Sequence, residues 1–192
     1  ELRNDSDEAM TVELISAFEP TLVDRLADEA HPAFTNLFVR AQWLASHQSL
    51  VFERKPRLAP EQSLHAAHFL TTTDSRILGT SIQTDRQRWQ GRNHSAARPL
   101  ASLDPLPVVA AGSSHTLGTG LDPMCALAVR VRIAPQARMQ LTFATAVSDN
   151  GATLRAVIDK YRQANNVKRA SLMSATLAGI RYRMLRLQAD DL

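Results

Sequence analysis

Up to Ser148 the apolar residues of this chain come in short bursts, several of them alternating with polar neighbours. From Asp149 onward they recur at every third or fourth position. A period of two belongs to strands, whose side chains point alternately to opposite faces, and a period near 3.6 belongs to helices. The two parts therefore call for different secondary structure. In "ALAVRVRIAP", Val129, Val131 and Ile133 alternate with Arg130 and Arg132, which predicts a strand with one wet face. "QLTFATAV" puts Leu141, Phe143 and Thr145 on one side and Thr142, Ala144 and Ala146 on the other. "TVELISAFEP", "NLFVRAQWLA", "SLVFERKP" and "LHAAHFLTT" are of the same kind, each followed by a turn or polar stretch. Six or more such strands without intervening helices predict a mainly β chain, an antiparallel β-sandwich.

Two interruptions are expected. "LVDRLADEAHPAF" predicts a short helical turn that stops before Pro32, because a proline disfavours helical geometry in the residue before it. Residues 90–123 hold four of the seven glycines and four of the nine prolines, which predicts a long irregular segment. After it, Asn150 or Asp149 can cap a helix carrying Leu154, Val157, Ile158 and Tyr161 at helical spacing. From Val167 on, Ala170, Met173, Leu177, Ile180, Met184 and Leu187 form a heptad-like seam about six turns long. Arg181, Arg183 and Arg186 flank it, and the seam is expected to dock on its own domain, on a neighbouring helical domain, or on a second copy of the chain. The division read from this is a β-sandwich over 1–148, incomplete at its N-terminus, and a helical linker over 149–192.

Bulk properties narrow the function classes. The 22 basic and 19 acidic residues leave a net charge of +3, with acids interleaved among the bases, so the basic stripe of a duplex-binding domain is missing and no nucleic-acid partner is expected. Cys125 is the single cysteine, which excludes an internal disulfide and a CxxC zinc site. His65 and His68 are three apart in a segment that reads as a strand, so they point to opposite faces and no shared metal is expected. No apolar run approaches the length of a membrane span. "HTLGTGLDP" has no Gly-Lys-Ser/Thr, and neither Gly-x-Ser-x-Gly nor His-Glu-x-x-His occurs.

Five segments, in order, resemble the glycoside hydrolase family 94 region (formerly glycosyltransferase family 36), most closely the version found in cyclic β-1,2-glucan synthases. "AHPAFTNLFVRAQW" is similar to the family's His-Pro-Ala-Phe-Ser-x-Leu-Phe-Val run, and "VFERKPR" to its Arg-Arg-Pro-Arg segment. "QTDRQRWQGRN" resembles Glu-Thr-Asp-Arg-x-x-Phe-Leu-Gly-Arg-Gly, and "GTGLDPMCALAVRVRIAP" resembles a Gly-x-x-Leu-Asp-Pro segment with its following strand. "FATAVSDNGATLRAVIDKYRQ" is similar to the end of the sandwich and the start of a linker helix. The resemblance implies a galactose-mutarotase-like supersandwich leading to an (α/α)6 barrel that lies outside this chain. It also implies a β-glucan oligosaccharide as ligand and inorganic phosphate as co-substrate of the parent enzyme, with no other cofactor. The parent is expected at the cytoplasmic face, as an inner-membrane protein. With the catalytic aspartate in the missing barrel, no catalytic residue is expected here; the alternative is a stand-alone carbohydrate-binding or oligomerisation module.

Within that frame Arg86, Arg88 and Arg92 are candidate substrate-binding residues, since guanidinium forks suit hydroxyl or phosphate oxygens. Trp89 is a candidate stacking platform for a sugar face, or else a core anchor. Gly91 marks a tight backbone position. Asp85 and Asp122 are the carboxylates a glycosidic chemistry would draw on. Both also have structural readings, Asp85 as a partner of arginine or backbone and Asp122 as a turn former before Pro123. The segment departs from the family pattern at Gln83 for Glu, Trp89 for Phe, Gln90 for Leu and Asn93 for Gly.

Overall fold

The computed structural model describes residues 1–56, 61–71, 76–99 and 114–184. Arg57, Arg186, Leu187 and the middle of the irregular 90–123 segment, all singled out above, lie outside the described residues. In chain order the elements are β1 (Leu2–Arg3), β2 (Met10–Phe18), α1 (Arg25–Ala30), α2 (Pro32–Asn36), β3 (Val39–Leu44), β4 (Ser49–Arg54) and β5 (Leu64–Leu70). There follow β6 (Ile77–Asp85), α3 (Arg86–Gln90), β7 (His115–Leu117), β8 (Pro123–Ile133), β9 (Arg138–Met139), β10 (Phe143–Ser148), α4 (Gly151–Tyr161) and α5 (Ala164–Met184).

The strands make a five-stranded sheet ordered β10-β5-β4-β3-β7, a three-stranded sheet ordered β2-β8-β6, and a small β1-β9 ribbon. All pairings between named strands are antiparallel. The two main sheets bury a common interior: Trp43, Leu50 and Phe52 from one meet Ile82, Cys125 and Leu127 from the other. Burial pushes the Cys125 thiol pKa far up, so it behaves as a small apolar core residue. The alternation along β8 is as expected for Val129, Val131 and Ile133, which are buried while Arg132 is exposed. Its first half is covered on both faces, because Met124, Ala126 and Ala128 lie under Trp89.

Three differences from the expected layout have local causes. Pro32 ends α1 and also begins α2 at the first helical position, where its missing N–H has no intrahelical acceptor to lose. The stretch from Ile77 forms a full strand, β6, although its pattern is blurred by Gly79, Thr80 and Ser81; pairing with β8 along most of its length overrides that weak local signal. Within the irregular segment, His115–Leu117 adds as an edge strand on β3.

Asn150 caps α4, its side-chain oxygen accepting from the N–H groups of Ala152 and Thr153 at 2.8 and 3.2 Å. Leu154 and Ile158 then pack on Ala67 and Phe69, the outward residues of β5. The short joint to α5 is pegged: Arg162 donates to the Ser46 carbonyl at 3.0 Å and to Gln48 Oε1 at 3.2 Å, and Asn166 donates to the Lys160 carbonyl at 2.7 Å. Among the described residues the seam of α5 does not dock on its own domain. Leu172, Met173, Leu177, Ile180 and Met184 are all exposed, and no residue of the helix is buried.

His65 and His68 fall on opposite faces of β5, as their spacing predicts. His68 sits in the interior, stacked on Phe143 with centroids 5.7 Å apart and edge-on to Phe18 at 5.2 Å, its Nδ1 2.9 Å from Thr145 Oγ1. Desolvation lowers its pKa, so the neutral ring is the folded form. A group whose folded pKa lies below its unfolded value stabilises the fold above the unfolded pKa and loses that contribution as pH falls. The unfolding free energy measured with urea from pH 8 to pH 5 should therefore hold steady above about pH 6.5 and fall below it, by up to about 1.4 kcal/mol per pH unit. A His68→Gln chain should show a flatter profile over the same range.

Candidate functional site

The "QTDRQRWQGRN" stretch is the end of β6, the single-turn helix α3 and its exit. The side-chain oxygen of Gln83 accepts from the N–H groups of Thr84 and Asp85 at 3.0 and 3.1 Å, where β6 and β8 slip register. Only an acceptor is needed there, so an amide serves as well as a carboxylate. Asp85 is the N-cap of α3, accepting from Gln87 N–H at 2.8 Å and Arg88 N–H at 3.3 Å. Thr84 is buried and donates to the Gly118 carbonyl at 2.7 Å, tying this stretch to the loop before β8. Gly91, at φ 76°, closes the helix by donating to the Gln87 carbonyl at 2.8 Å. Asn93 sits at φ 66°, a left-handed conformation that asparagine tolerates better than most residues, which accounts for its standing where the family pattern has glycine.

Arg86 is the hub. Its Nε lies 2.9 Å from Glu19 Oε1 and its guanidinium 3.5 Å from Asp122 Oδ2, while its backbone N–H donates to the Asp122 carbonyl at 3.0 Å. Asn36 at the end of α2 donates to Asp122 Oδ1 at 3.0 Å. Asp122 thus bridges α2 and α3 in addition to leading into β8. No sequence pattern marks Glu19 or Asn36 as a site residue; Asn36 lies inside the "AHPAFTNLFV" segment, and its meeting with Asp122 and Arg86 brings three of the five family-like segments to one place.

Beside this network lies a groove of about 620 Å³ lined by Arg86, Gln87, Gln90, Gly91, Arg92 and Asp122. Arg92 is exposed and, among the described residues, has no hydrogen-bond or ion-pair partner. The Arg88 side chain is 78% exposed, with its Nε 3.7 Å from Asp85 Oδ2. Trp89 corrects the stacking expectation: it is 7% exposed and packed with Met124, Ala126 and Ala128, the core-anchor alternative. In a helix of one turn, neighbouring residues face different ways, so the turn that buries Trp89 leaves Arg88 outside. The carboxylates of Asp85 and Asp122 are both engaged, one by backbone N–H groups and the other by Arg86 and Asn36. Among the described residues no group of three His, Cys, Asp or Glu side chains could hold a metal ion.

Two facing antiparallel sheets with a shared core, followed by helices after the last strand, make a β-sandwich. The chain belongs to the glycosyl hydrolase 94 supersandwich domain family, whose pattern it matches over residues 1–164. It is also similar to the cyclic beta-(1,2)-glucan synthase NdvB of Rhizobium meliloti (strain 1021), at 26% identity over 191 residues. That alignment takes in 99% of this chain and 6% of the relative's length.

Proposed function

We propose that this chain is the sugar-facing, non-catalytic part of a larger glucan-active enzyme, a cyclic β-1,2-glucan synthase or β-glucoside phosphorylase. The observation that carries this reading is Arg92, a guanidinium without a partner among the described residues, on the rim of a groove where Arg86 and Asp122 are engaged with each other. Inverting phosphorolysis needs a general acid on the leaving oxygen and a held phosphate as nucleophile. Asp85 and Asp122 are committed to the fold, so the acid would come from an (α/α)6 barrel beyond this chain, with Arg88 and Arg92 steadying hydroxyl or phosphate oxygens at the edge. Inorganic phosphate is the co-substrate in this scheme, β-1,2-linked glucan is the ligand, and the parent works at the cytoplasmic face of the inner membrane. No described helix is long and apolar enough to cross a membrane.

The test is phosphorolysis of β-1,2-linked gluco-oligosaccharide. The chain alone should release no glucose 1-phosphate, and joining the barrel should restore release. In the joined enzyme Arg92→Ala should raise KM for the oligosaccharide about tenfold, a loss of about 1.4 kcal/mol, with kcat little changed. Turnover by the chain alone at the joined rate would refute the assignment.

The exposed α5 seam favours a second reading, an assembly helix that pairs with a second copy. Light scattering on eluted wild type, Leu177→Asp and Ile180→Asp should then show a dimer reduced to monomer by either substitution. Three identical monomers would remove self-association and leave a helical neighbour as the seam's partner.

A further inference from the structure

The outer face of the five-stranded sheet carries a second groove. Helix α4 covers this face over β5 and β10, where Leu154 and Ile158 meet Ala67, Phe69, Ala144 and Ala146. Between α4 and the β7 edge the described residues leave the sheet open, in a groove of about 580 Å³. That is within the span of small-molecule sites, about 300–1,000 Å³. It shares no lining residue with the groove beside α3.

The strand register builds its bed. Glu53 stands opposite Arg40 on one side and His65 on the other, so a cation, a carboxylate and an imidazole cross three strands in one row. Gln42 and Thr116 face each other in the next row out, and Arg155 of α4 adds a second guanidinium along the wall. The period of two puts these on the face opposite the buried Val39, Ala41 and Trp43. Among the described residues none of the six side chains has a hydrogen-bond or ion-pair partner, although Arg40 and Glu53 are direct cross-strand neighbours. Six polar groups around one hollow, each with unused capacity, mark a surface prepared for something polar.

We propose that this groove binds a neutral, polyhydroxylated ligand, a short sugar chain. Hydroxyls both donate and accept, so adjacent ones can give to Glu53 while taking from Arg40 or Arg155, and Gln42 and Thr116 meet them in either sense. An anion would be drawn to the two arginines but would face the Glu53 carboxylate in the middle of the row. Leu44 and Val51, both half-buried, supply an apolar floor suited to the C–H face of a pyranose ring. The polyol class follows from the groove itself; that the sugar is β-1,2-linked glucan rests on the function proposed above. The chain then holds its glucan at two places, on the outsides of its two main sheets.

Amide NMR titration of the 192-residue chain with a β-1,2-linked glucose disaccharide, with maltose and with inorganic phosphate tests this. The β-1,2 disaccharide should shift the amides of Gln42, His65 and Gly118. Glu53→Gln and Arg40→Gln should each weaken that response at least tenfold at an unchanged thermal midpoint, and Arg92→Ala should leave it intact. Shifts confined to Gln87–Arg92 would overturn the groove while sparing the α3 site. Shifts in the groove with maltose alone would keep the polyol site and count against the β-1,2-glucan assignment. A response to phosphate alone, or none to either sugar, would overturn the proposal.

Discussion

Replacing Trp89 by alanine is expected to destabilise the chain by about 3–5 kcal/mol, the range for deleting a large buried aromatic. The indole is 7% exposed and lies over Met124, Ala126 and Ala128, with Ile15 packed against the same cluster. The small residues at 126 and 128 leave the room it fills, so truncation opens a void on the outer face of the three-stranded sheet that neither alanine can reach across. Urea unfolding should show the midpoint fall sharply, and Trp89→Phe, the family's residue at this place, should recover most of the loss. A Trp89→Ala chain with wild-type stability and weakened sugar affinity would return Trp89 to the stacking role.

The second large effect is expected at Gly120, which is remote in sequence from the helix it protects. Its φ is +60°, and a Cβ built there would stand 2.7 Å from the Asp85 carboxyl carbon. Alanine in a left-handed conformation costs about 1–2 kcal/mol. Moving the Asp85 carboxylate aside to make room also loosens the cap of α3, adding about 1 kcal/mol within the range known for capping residues. Gly120→Ala should therefore cost about 2–3 kcal/mol by chemical denaturation. Asp85→Ala should cost about 1 kcal/mol. Because both act on one carboxylate, the double variant should fall short of the sum, which is the sign that two sites share a partner. Strictly additive losses would mean that Gly120 and Asp85 do not meet.

Much of the sandwich is legible from alternation alone. β2, β3, β4, β5, β8 and β10 coincide with the apolar bursts, and Asn150 announces α4 by its side chain and the helical spacing after it. β6 escaped because its residues satisfy no simple period; a strand flanked by β8 on one side and ending in a register slip is fixed by its partner. The core position of Trp89 was open for a similar reason. A one-turn helix has no periodicity to read, and which of its side chains turns inward depends on the alanines of a strand more than thirty residues away. Nor could Asn36 or Glu19 be singled out, since an ion-pair hub joins residues whose only common feature is that the fold brings them together. The exposure of the α5 seam is different: its pattern correctly signals an apolar stripe, but a stripe does not say which surface it is for.

Helix α5 turns a chemical junction into a mechanical one. Its 21 residues at about 1.5 Å each make a rod about 30 Å long, so a tilt of 10° at its root swings the far end by about 5 Å. What resists that tilt is the trio of hydrogen bonds made by Arg162 and Asn166, and Arg162 is anchored to the turn between β3 and β4. Stiffness at the root fixes aim at the tip. A load on the far end of the rod is felt first at Arg162, one turn beyond Ile158, which lies beneath the wall of the polar groove.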